Sequence, residues 1–371
     1  MTAVATKQLT PKAGKAVQPA VAALLLDWYD SERRDLPWRY APGKKADAYR
    51  VWLSEIMLQQ TVVKTVIPYY AAFLKRWPTV NALAAASLDD VLVAWAGLGY
   101  YSRARNLHKC AQLIVAEHRG KFPKDVETLG TLPGVGPYTA AAIAAIAYGA
   151  KVTPVDGNVE RVVSRLFAIE TPLPAARSAI KRQVATLTPD ARTGDFAQAM
   201  MDLGATVCTP KRPSCLMCPL HRQCAGYAQG IQDGLPRKAV KAAKPARFGH
   251  AFLALREDGH ILLRQRPDRG LLARMIEVPS TDWLDELPAL QTAMRAAPLR
   301  GDWWQVPGAV SHVFTHFKLE LVVHVALVPM DAALTFWADG ARCRWVSRRA
   351  LGGEALPSVM RKIIAHALKE M

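Results

Sequence analysis

Four cysteines lie close together near the middle of the chain and constrain what the surrounding segment can fold around. They are Cys208, Cys215, Cys218 and Cys224, and their spacing is C-x6-C-x2-C-x5-C. Four thiolates this close in sequence can surround one metal centre, either an iron–sulfur cluster or a structural zinc ion. Disulfide pairing is the competing interpretation, but nothing else in the sequence is typical of a secreted protein. The spacing alone does not distinguish iron from zinc.

Length and hydrophobic content set the broad class. The chain has 371 residues, of which 51% are hydrophobic, so it can form two domains with substantial cores. No apolar run is long enough to span a membrane. The short apolar stretch Ala20–Leu26 has no cleavage site after it, which predicts an amphipathic first helix rather than a signal peptide. Residues 1–19 are basic and contain proline and glycine, which predicts a disordered tail.

The chain is strongly basic, with a formal net charge of +17 and an isoelectric point of about 9.8. A soluble protein with this charge usually binds a polyanion, and nucleic acid is the commonest one. A generally basic, solvated surface is the alternative explanation. Charge therefore indicates a nucleic-acid partner only if a motif supports it.

Such a motif lies at residues 132–140, with the sequence Leu-Pro-Gly-Val-Gly-Pro-Tyr-Thr-Ala. We predict a helix over 126–131 before it and an alanine-rich helix over 138–148 after it. Gly134 and Gly136 permit a tight hairpin and leave backbone N–H groups open at the start of the second helix, where a phosphate can bind. An ordinary helix–turn–helix corner is the plainer interpretation of the same residues.

Two acidic residues stand out as candidates for chemistry. Glu55 lies in the mostly apolar segment Trp52–Thr61, and Asp156 precedes a predicted helix over 160–167. Each has a simpler explanation, because Glu55 can sit at the rim of a core and Asp156 can cap a helix. Together they match a known requirement, since cleavage of a glycosidic bond uses one protonated and one ionised carboxyl group.

The hairpin, the two acids and the cysteine run together resemble the helix-hairpin-helix DNA glycosylases, and within them the adenine glycosylase (MutY) family. The resemblance extends over residues 20–350. The matching stretches are Asp35–Arg39, Trp52–Thr61, Gly97–Tyr101, Leu132–Ala140, Val155–Val159 and the cysteine run. It implies an all-α helix-hairpin-helix domain whose cysteines hold one [4Fe-4S] cluster, and an enzyme that removes adenine mispaired with 8-oxoguanine or guanine.

The resemblance also assigns roles to individual residues. Glu55 is expected to protonate the adenine and Asp156 to stabilise the oxocarbenium ion, with Tyr138 and Asn158 supporting that carboxylate. The positions that match adenine-contacting residues are Arg34, Trp38, Arg39 and Gln198. The positions that match DNA contacts are Gln60, Tyr100, Gly134, Val135, Gly136, Lys211 and Arg212.

One position separates this family from its bifunctional relative, endonuclease III. The relative has a lysine after the hairpin, whose amine forms a Schiff base with the sugar, and this sequence has Tyr138 there. A phenol cannot form an imine, so we expect a monofunctional glycosylase without strong lyase activity.

The sequence changes character after Tyr227. Residues 235–247 carry five basic residues, two prolines and no acid, which predicts an exposed basic linker. Beyond it, strands are predicted over 248–256, 260–266 and 317–328, and helices over 284–296 and 357–369. These elements form an α+β domain that resembles the Nudix-like (MutT-like) domain of the same family. We therefore divide the chain into a tail at 1–19, a glycosylase domain at 20–228 that includes the cysteine loop at 208–224, a linker at 229–247 and a Nudix-like domain at 248–371.

The resemblance gives the last domain a recognition role. The metal-binding helix of a Nudix hydrolase is absent after Gly270, so nucleotide hydrolysis is not expected. Phe314, Thr315 and His316 match the loop that contacts 8-oxoguanine, with threonine in place of the usual serine. Arg274–Ile276 replaces a common Leu-Trp pair, which bears on local packing.

Two other functions remain open from the residues. One is an endonuclease III-like glycosylase/lyase for oxidised pyrimidines, and Tyr138 and the extra domain argue against it. The other is a non-catalytic iron–sulfur protein that binds DNA or senses redox state, and the presence of both acids argues against it. The leading interpretation implies a monomeric, cytoplasmic, nucleoid-associated bacterial protein whose partner is mispaired double-stranded DNA and not a membrane.

Overall fold

The structure is a computed structural model that describes residues 17–239, 243–335, 338 and 342–369. The chain forms two compact units. The first is built from residues up to Gln59 and from Ala116–Val240, and the second from Gln60–Val115 and Lys241 onward. The helical segment 60–115 is therefore packed with the C-terminal part of the chain. Within the described ranges, no helix combines the length and the apolar character needed to cross a membrane.

Helices make up most of the chain before residue 230. They are α1 (Val17–Glu32), α2 (Ala48–Leu58), α3 (Val63–Arg76), α4 (Val80–Ala85), α5 (Leu88–Trp95), α6 (Ser102–His118), α7 (Val126–Thr131), α8 (Pro137–Tyr148), α9 (Gly157–Leu166), α10 (Arg177–Leu187), α11 (Thr193–Thr206) and α12 (Ala225–Ala228). Several begin at a side-chain cap, as α5 does at Ser87 and α7 at Asp125, because these oxygens accept the first free N–H groups of the helix.

The core of the first unit lies among α1, α9, α10 and α11. Leu25, Tyr29, Val163, Ile180 and Phe196 are fully buried there. The helix α11 packs against both α8 and α9. Because α8 follows the hairpin and Asp156 caps α9, this packing brings the two predicted motifs to one place.

The C-terminal part of the second unit is built on a mixed six-stranded sheet. Its strands are β1 (Ala246–Arg256), β2 (His260–Gln265), β3 (Ile276–Glu277), β4 (Trp304–Val313), β5 (Lys318–Val328) and β6 (Cys343–Ser347), joined by the short helix α13 (Leu290–Ala293) and the terminal helix α14 (Ser358–Ala367). The order is β3-β2-β1-β5-β4, with β6 also paired to β2. The central pair, β1 and β5, is parallel, with Ala246 opposite Lys318 and Arg256 opposite Val328. The strands alternate or run continuously in apolar residues, as expected for a sheet with a covered face.

Most predicted elements are confirmed. The helix over 126–131 has the expected bounds, the next begins one residue early at Pro137, and the three predicted strands agree within two residues. The helix after Asp156 begins at Gly157 rather than at residue 160, because the Asp156 side chain caps it.

Other predictions of local structure were wrong. Helix α1 begins at Val17, so the last three residues of the predicted tail are helical; residues 1–16 lie outside the described residues. The predicted helix over 284–296 is helical only from Leu290 onward. The linker prediction differs only in part, because Leu235 is 3% exposed and the Arg237 carbonyl accepts a hydrogen bond from the Leu173 N–H. Residues 237–239 and 243–246 are exposed as predicted, and residues 240–242 lie outside the described residues. Strands β3, β4 and β6 were not predicted.

Candidate functional site

Glu55 lies in the middle of α2, and only 7% of its surface is exposed. Burial removes water from the carboxyl group and raises its pKa from 4.5 to about 7, which outweighs the lowering by the Arg39 charge and by a hydrogen bond from Tyr138. The nearby Asp156 carboxylate adds a further increase. A carboxyl group with a pKa near neutrality can hold and release a proton at physiological pH, as a general acid must.

Tyr138 lies in the first turn of α8 and faces the same acid. Its hydroxyl contacts both the Glu55 carboxyl group and the sulfur of Met201, with an Oη–Sδ distance of 3.5 Å. Burial and the two nearby carboxyl groups raise the pKa of Tyr138 well above its usual value. The phenol is therefore a hydrogen-bond donor at neutral pH and supplies neither an amine nor a phenolate.

Asp156 is the N-cap of α9. Its Oδ1 accepts hydrogen bonds from the backbone N–H groups of Asn158 and Val159 at 2.9 and 2.8 Å, and its Oδ2 accepts one from the Asn158 side chain at 2.8 Å. These bonds and the positive end of the helix dipole hold the carboxylate in one orientation. The capping and ligand-facing interpretations of Asp156 are thus compatible, since one carboxylate can cap the helix and face a cavity.

The support for Asp156 continues into α9 and α11. Arg161 donates to the Asn158 side-chain oxygen at 2.8 Å, to the Gly204 carbonyl at 2.6 Å and, through Nε, to the Cys208 carbonyl at 2.8 Å. The two helices approach closely, because a Cβ at Gly204 would lie 2.6 Å from that of Asn158. A side chain larger than glycine at residue 204 would push Asn158 away from Asp156.

The predicted adenine-contacting residues converge on the same helix, α11. The buried Asp202 carboxylate accepts from Arg39 Nη2 at 2.9 Å and from Arg34 Nε at 2.8 Å, and it also bonds the Arg34 backbone N–H at 3.1 Å. Gln198 lies one turn earlier on α11 and is 7% exposed, and Trp38 is 5% exposed. The structure therefore brings these four predicted residues to the 33–47 loop and the facing side of α11.

A cleft of about 750 Å³ opens beside Tyr138 and Asp156. Its walls combine apolar and basic side chains. The apolar ones are Pro137, Val155 and Val184, and the basic ones are Lys151, Arg177 and Lys181. A cleft of this character suits a ligand with a flat apolar part and a negatively charged backbone.

The hairpin between α7 and α8 has the predicted geometry. Gly134 adopts a φ of +78°, which favours glycine, and Val135 is buried at the turn. Gly136 is the N-cap of α8 and provides no side-chain cap, and Pro137 follows at the first position of the helix. The first turn of α8 thus presents backbone N–H groups at an exposed glycine, as binding of a phosphate requires.

The four cysteines of the run lie around the C-terminal end of α9, and all four are free thiols. Cys208, Cys218 and Cys224 pack against the core of the first unit. Arg165 donates to the Cys208 sulfur at 3.3 Å and to the Thr209 carbonyl at 2.8 Å. Burial raises the pKa of Cys218 to about 12, and its three partner thiols add to that effect. The disulfide interpretation is not what the structure shows.

The arrangement of the thiols bears on which group they fit. Cys208 acts electrostatically on the other three thiols, and Cys215 acts on Cys218 and Cys224, so the four side chains lie close to one another. Four thiolates gathered at one place can hold an iron–sulfur cluster or a zinc ion, as their spacing predicted.

The loop between Cys208 and Cys215 carries Lys211 and Arg212, and both are exposed. Arg212 has a φ of +49°, and the Thr209 hydroxyl donates to the Lys211 carbonyl at 3.0 Å. The loop thus holds its two cations toward solvent, where a phosphate backbone can approach.

The remaining predicted residues lie in the second unit, where Tyr100 and the Phe314–His316 loop meet. The Thr315 hydroxyl donates to the Tyr100 hydroxyl at 3.2 Å, and both residues line a cleft of about 410 Å³ together with Gln60 and His316. Gln60 and Tyr100 have φ values of +57° and +49°, which are uncommon for residues other than glycine and often mark functional positions. The Phe314 ring stacks on Phe317, with 4.8 Å between the ring centroids, and lies tilted against Trp283 at 5.6 Å, and these contacts hold the loop.

Sequence reasoning missed Asp202, Arg161 and Arg165. Asp202 had a signal, because Asp195, Gln198 and Asp202 fall on one face of a helix that is otherwise apolar. The two arginines follow Asn158 at helical spacing, but a basic residue on a helix usually faces solvent. The sequence therefore did not predict that Arg161 and Arg165 point into the protein.

Comparison with known proteins identifies the two parts of the chain. Residues 53–187 match the model of the HhH-GPD superfamily of base excision DNA repair proteins, and residues 250–366 match the NUDIX domain model. The adenine DNA glycosylase of Homo sapiens is 39% identical, over 91% of this chain and 72% of its own length. The adenine DNA glycosylase of Buchnera aphidicola subsp. Acyrthosiphon pisum is 30% identical, over 94% of this chain and 97% of its own length.

Solved structures agree with the fold of the helical part. A thermostable thymine-DNA glycosylase superposes with a TM-score of 0.51 at 27% identity and covers 57% of this chain and 97% of its own. A trapped endonuclease III–DNA covalent intermediate has a TM-score of 0.50 at 20% identity, over 59% and 99%, and supports the fold alone. The chain belongs to the adenine DNA glycosylase family, as a DNA-binding enzyme of base excision repair with a helix-hairpin-helix glycosylase part and a C-terminal Nudix-like part.

Proposed function

We propose that this glycosylase removes adenine paired with 8-oxoguanine or guanine, with Glu55 as the general acid and Asp156 as the stabiliser of the sugar cation. The observation that carries the proposal is the difference between the two acids. Burial raises the pKa of Glu55 to about 7, whereas the Asp156 carboxylate accepts three N–H hydrogen bonds. Glycosidic cleavage uses two carboxyl groups in these two states.

The chemistry begins with a base that must leave the duplex, because a stacked adenine presents neither its N7 nor its glycosidic bond. Glu55 then donates its proton to N7, which makes the purine a better leaving group. General acid catalysis of this kind contributes about 10² to 10⁴ in rate. We assign contact with the flipped base to Arg39, Trp38, Arg34 and Gln198, which lie together on the 33–47 loop and α11.

Departure of adenine leaves positive charge on the deoxyribose. The Asp156 carboxylate faces that charge, and its bonds to Asn158 and Val159 fix its position before the reaction begins. A preorganised charge needs no rearrangement during the step and so stabilises the transition state more than a mobile one. With Tyr138 in place of an amine, the reaction ends in hydrolysis rather than a Schiff base.

We propose that Cys208, Cys215, Cys218 and Cys224 hold one [4Fe-4S] cluster, on the basis of their fit described above. Bound there, the cluster would brace the loop that presents Lys211 and Arg212 to the DNA backbone, and we assign it no step in the reaction. Equal amounts of iron and acid-labile sulfide with a visible absorption band would support the proposal. A colourless protein that contains zinc would contradict it. The control variant Cys343→Ser changes a cysteine outside the run and should leave the iron and sulfide content unchanged.

For the opposite base, we propose that the Phe314–Thr315–His316 loop reads 8-oxoguanine while Gln60 and Tyr100 fill the gap left by the flipped adenine. The hydrogen bond between Thr315 and Tyr100 supports a shared role for these elements. Thr315→Ala should reduce the preference for 8-oxoguanine over guanine opposite the adenine. The exposed Thr292→Ala should leave that preference unchanged.

The decisive experiment is single-turnover cleavage of a duplex that contains one 8-oxoguanine:adenine pair, labelled on the adenine strand. Strand breaks should appear only after alkali and should be lost in Glu55→Gln and Asp156→Asn. The exposed acid Glu127, changed to Gln, provides a matched control that should keep full activity. Breaks without alkali would show a lyase step, and full activity in either active-site variant would remove that residue from the mechanism.

A further inference from the structure

Helix α11 carries a stripe of buried polar residues on one face. Asp195, Gln198 and Asp202 follow one another at intervals of three and four, so they point to the same side, and they are 8%, 7% and 0% exposed. Most of the other residues of the helix are apolar, and Phe196, Ala199, Met200 and Leu203 belong to the core. Buried carboxylates are retained only where they have partners, so each of these acids must hold something in place.

Both acids hold the loop between α1 and α2. Asp195 accepts a hydrogen bond from the Gly43 N–H at 2.9 Å, and Asp202 forms ion pairs with Arg34 and Arg39 at 2.7 and 2.9 Å. The loop is thus fixed to α11 on either side of Gln198. The Asp202 anchor differs from the other, because it engages the charged side chain of Arg39, which acts electrostatically on Glu55.

The charge on Arg39 also acts on Glu55 and lowers its pKa. The charged or titratable groups that face Glu55 are Arg39, Tyr138 and Asp156. Asp156 is already occupied by three N–H donors, and Tyr138 is a donor itself. Arg39 also donates to the uncharged Tyr29 hydroxyl at 3.4 Å, so an Arg39 side chain that loses Asp202 can form an ion pair with the Glu55 carboxylate, on which its charge already acts.

We propose that Asp202 is a positioning residue that engages the Arg39 guanidinium, so that Arg39 lines the adenine pocket without forming an ion pair with Glu55. Asp202 touches neither the adenine nor the sugar, and it acts through Arg39. This inference rests on the proposed roles of Glu55 and Arg39. It gives the buried acid a role in the reaction besides its contribution to stability.

The test is the pH dependence of single-turnover adenine release by full-length Asp202→Asn. A freed Arg39 favours the ionised form of Glu55, which lowers the pKa of that acid, so activity should disappear at a lower pH than in the wild type. At pH 8 the rate should fall by about 10², as expected for a misplaced catalytic contact. Much of that loss should be recovered as the pH approaches 5.5, where Glu55 regains its proton.

Two variants separate this role from simple loss of packing. Asp195→Asn removes the other anchor of the same loop without touching Arg39, and its high-pH limit should coincide with that of the wild type. In the Arg39→Gln background, the further change Asp202→Asn should no longer move that limit, because the cation that it releases is gone.

The outcomes distinguish a positioning role of Asp202 from a purely structural one. A uniform fall in rate at every pH, with the limit unmoved, would show that Asp202 is only structural and would overturn the inference. Retained activity in Glu55→Gln would instead overturn the proposed mechanism, because the pH limit would not report on Glu55. If Asp202→Asn does not fold, Asp202→Glu keeps the charge and displaces the carboxylate, and it should shift the limit in the same direction by a smaller amount.

Discussion

Two buried glutamates, one in each part of the molecule, show how partners decide what an acid does. Glu55 in the helical part is 7% exposed, and Glu277 on β3 is fully buried in the Nudix-like part. Glu277 forms ion pairs with Arg264, at 2.5 Å, and with Arg266. Glu55 has a phenol and the field of a single arginine that is itself engaged by Asp202.

Burial alone therefore does not mark a catalytic acid. Glu277 links β3 to Arg264 on β2 and to Arg266 just after that strand, so both of its oxygens have a cationic partner and it stabilises the sheet. Glu55 lacks such a pair among the described residues, so water removal dominates and its pKa rises toward neutrality. The same substitution, glutamate to glutamine, should separate the two cases.

The largest effect is expected for Glu277→Gln. Removing the charge leaves two partly buried guanidinium groups without their common partner, which typically costs about 3 to 5 kcal/mol. Urea unfolding at pH 8 should show that loss, while adenine release under single-turnover conditions should be unchanged below the unfolding transition. A stability equal to that of the wild type would mean that the ion pairs of Glu277 contribute no more than exposed surface pairs do.

The opposite sign is expected for Glu55→Gln at high pH. The folded-state pKa of Glu55 is raised above its ordinary value, so its favourable contribution is complete below pH 4.5 and is lost as the pH rises to about 7. Each unit corresponds to about 1.4 kcal/mol, so the loss by pH 8 is about 3 kcal/mol. Glutamine does not ionise and escapes this loss.

Urea unfolding of the wild type and Glu55→Gln at pH 4.5 and pH 8 measures this difference. The variant should be the more stable protein at pH 8, and its advantage should shrink at the lower pH. A constant difference between the two proteins across this range would mean that Glu55 titrates at its ordinary pKa.

An intermediate effect is expected for Tyr138→Phe. The phenol donates a hydrogen bond that lowers the pKa of Glu55, so its removal should move the high-pH limit of activity upward. Losing a hydrogen bond worth about 1 kcal/mol should slow adenine release about fivefold.

Tyr148→Phe is the matched control for that change. Tyr148 lies on the same helix and donates to the Phe122 carbonyl at 2.8 Å, away from Glu55. Its removal should leave the pH limit in place. An identical shift in both variants would assign the effect to α8 packing rather than to the Glu55 contact.

The smallest effect is expected for Lys318→Ala, which breaks an ion pair with Glu320 on the same strand. The two side chains are 49% and 38% exposed and 2.6 Å apart. Exposed pairs contribute about 0 to 1 kcal/mol because water screens them. The free energy of unfolding in urea should be close to that of the wild type. A loss as large as that of Glu277→Gln would contradict the difference between exposed and buried ion pairs.

Much of the site was readable from the sequence because its signals are local. The spacing of the four cysteines predicted a common ligand site, the Gly134–Gly136 hairpin predicted the start of α8, and Asp156 was recognised as a helix cap. Each of these depends on residues a few positions apart, where backbone geometry fixes the outcome. Strand β3 was missed because it has only two residues, β4 because Pro307 and Gly308 interrupt its pattern at a bulge, and β6 because its partner β2 is distant in the sequence.

Tertiary structure decided how far Glu55 is shielded from water and which groups contact it. The sequence determined the family features, the motifs and the identities of Glu55 and Asp156. Only the packing of α2, α8 and α11 removes water from Glu55 and places Tyr138 against it. The same packing lets Arg39 bind Asp202, which is 163 residues away in the sequence. A pKa depends on solvent exclusion and on charges brought together through space, and neither is encoded in the spacing of residues along the chain.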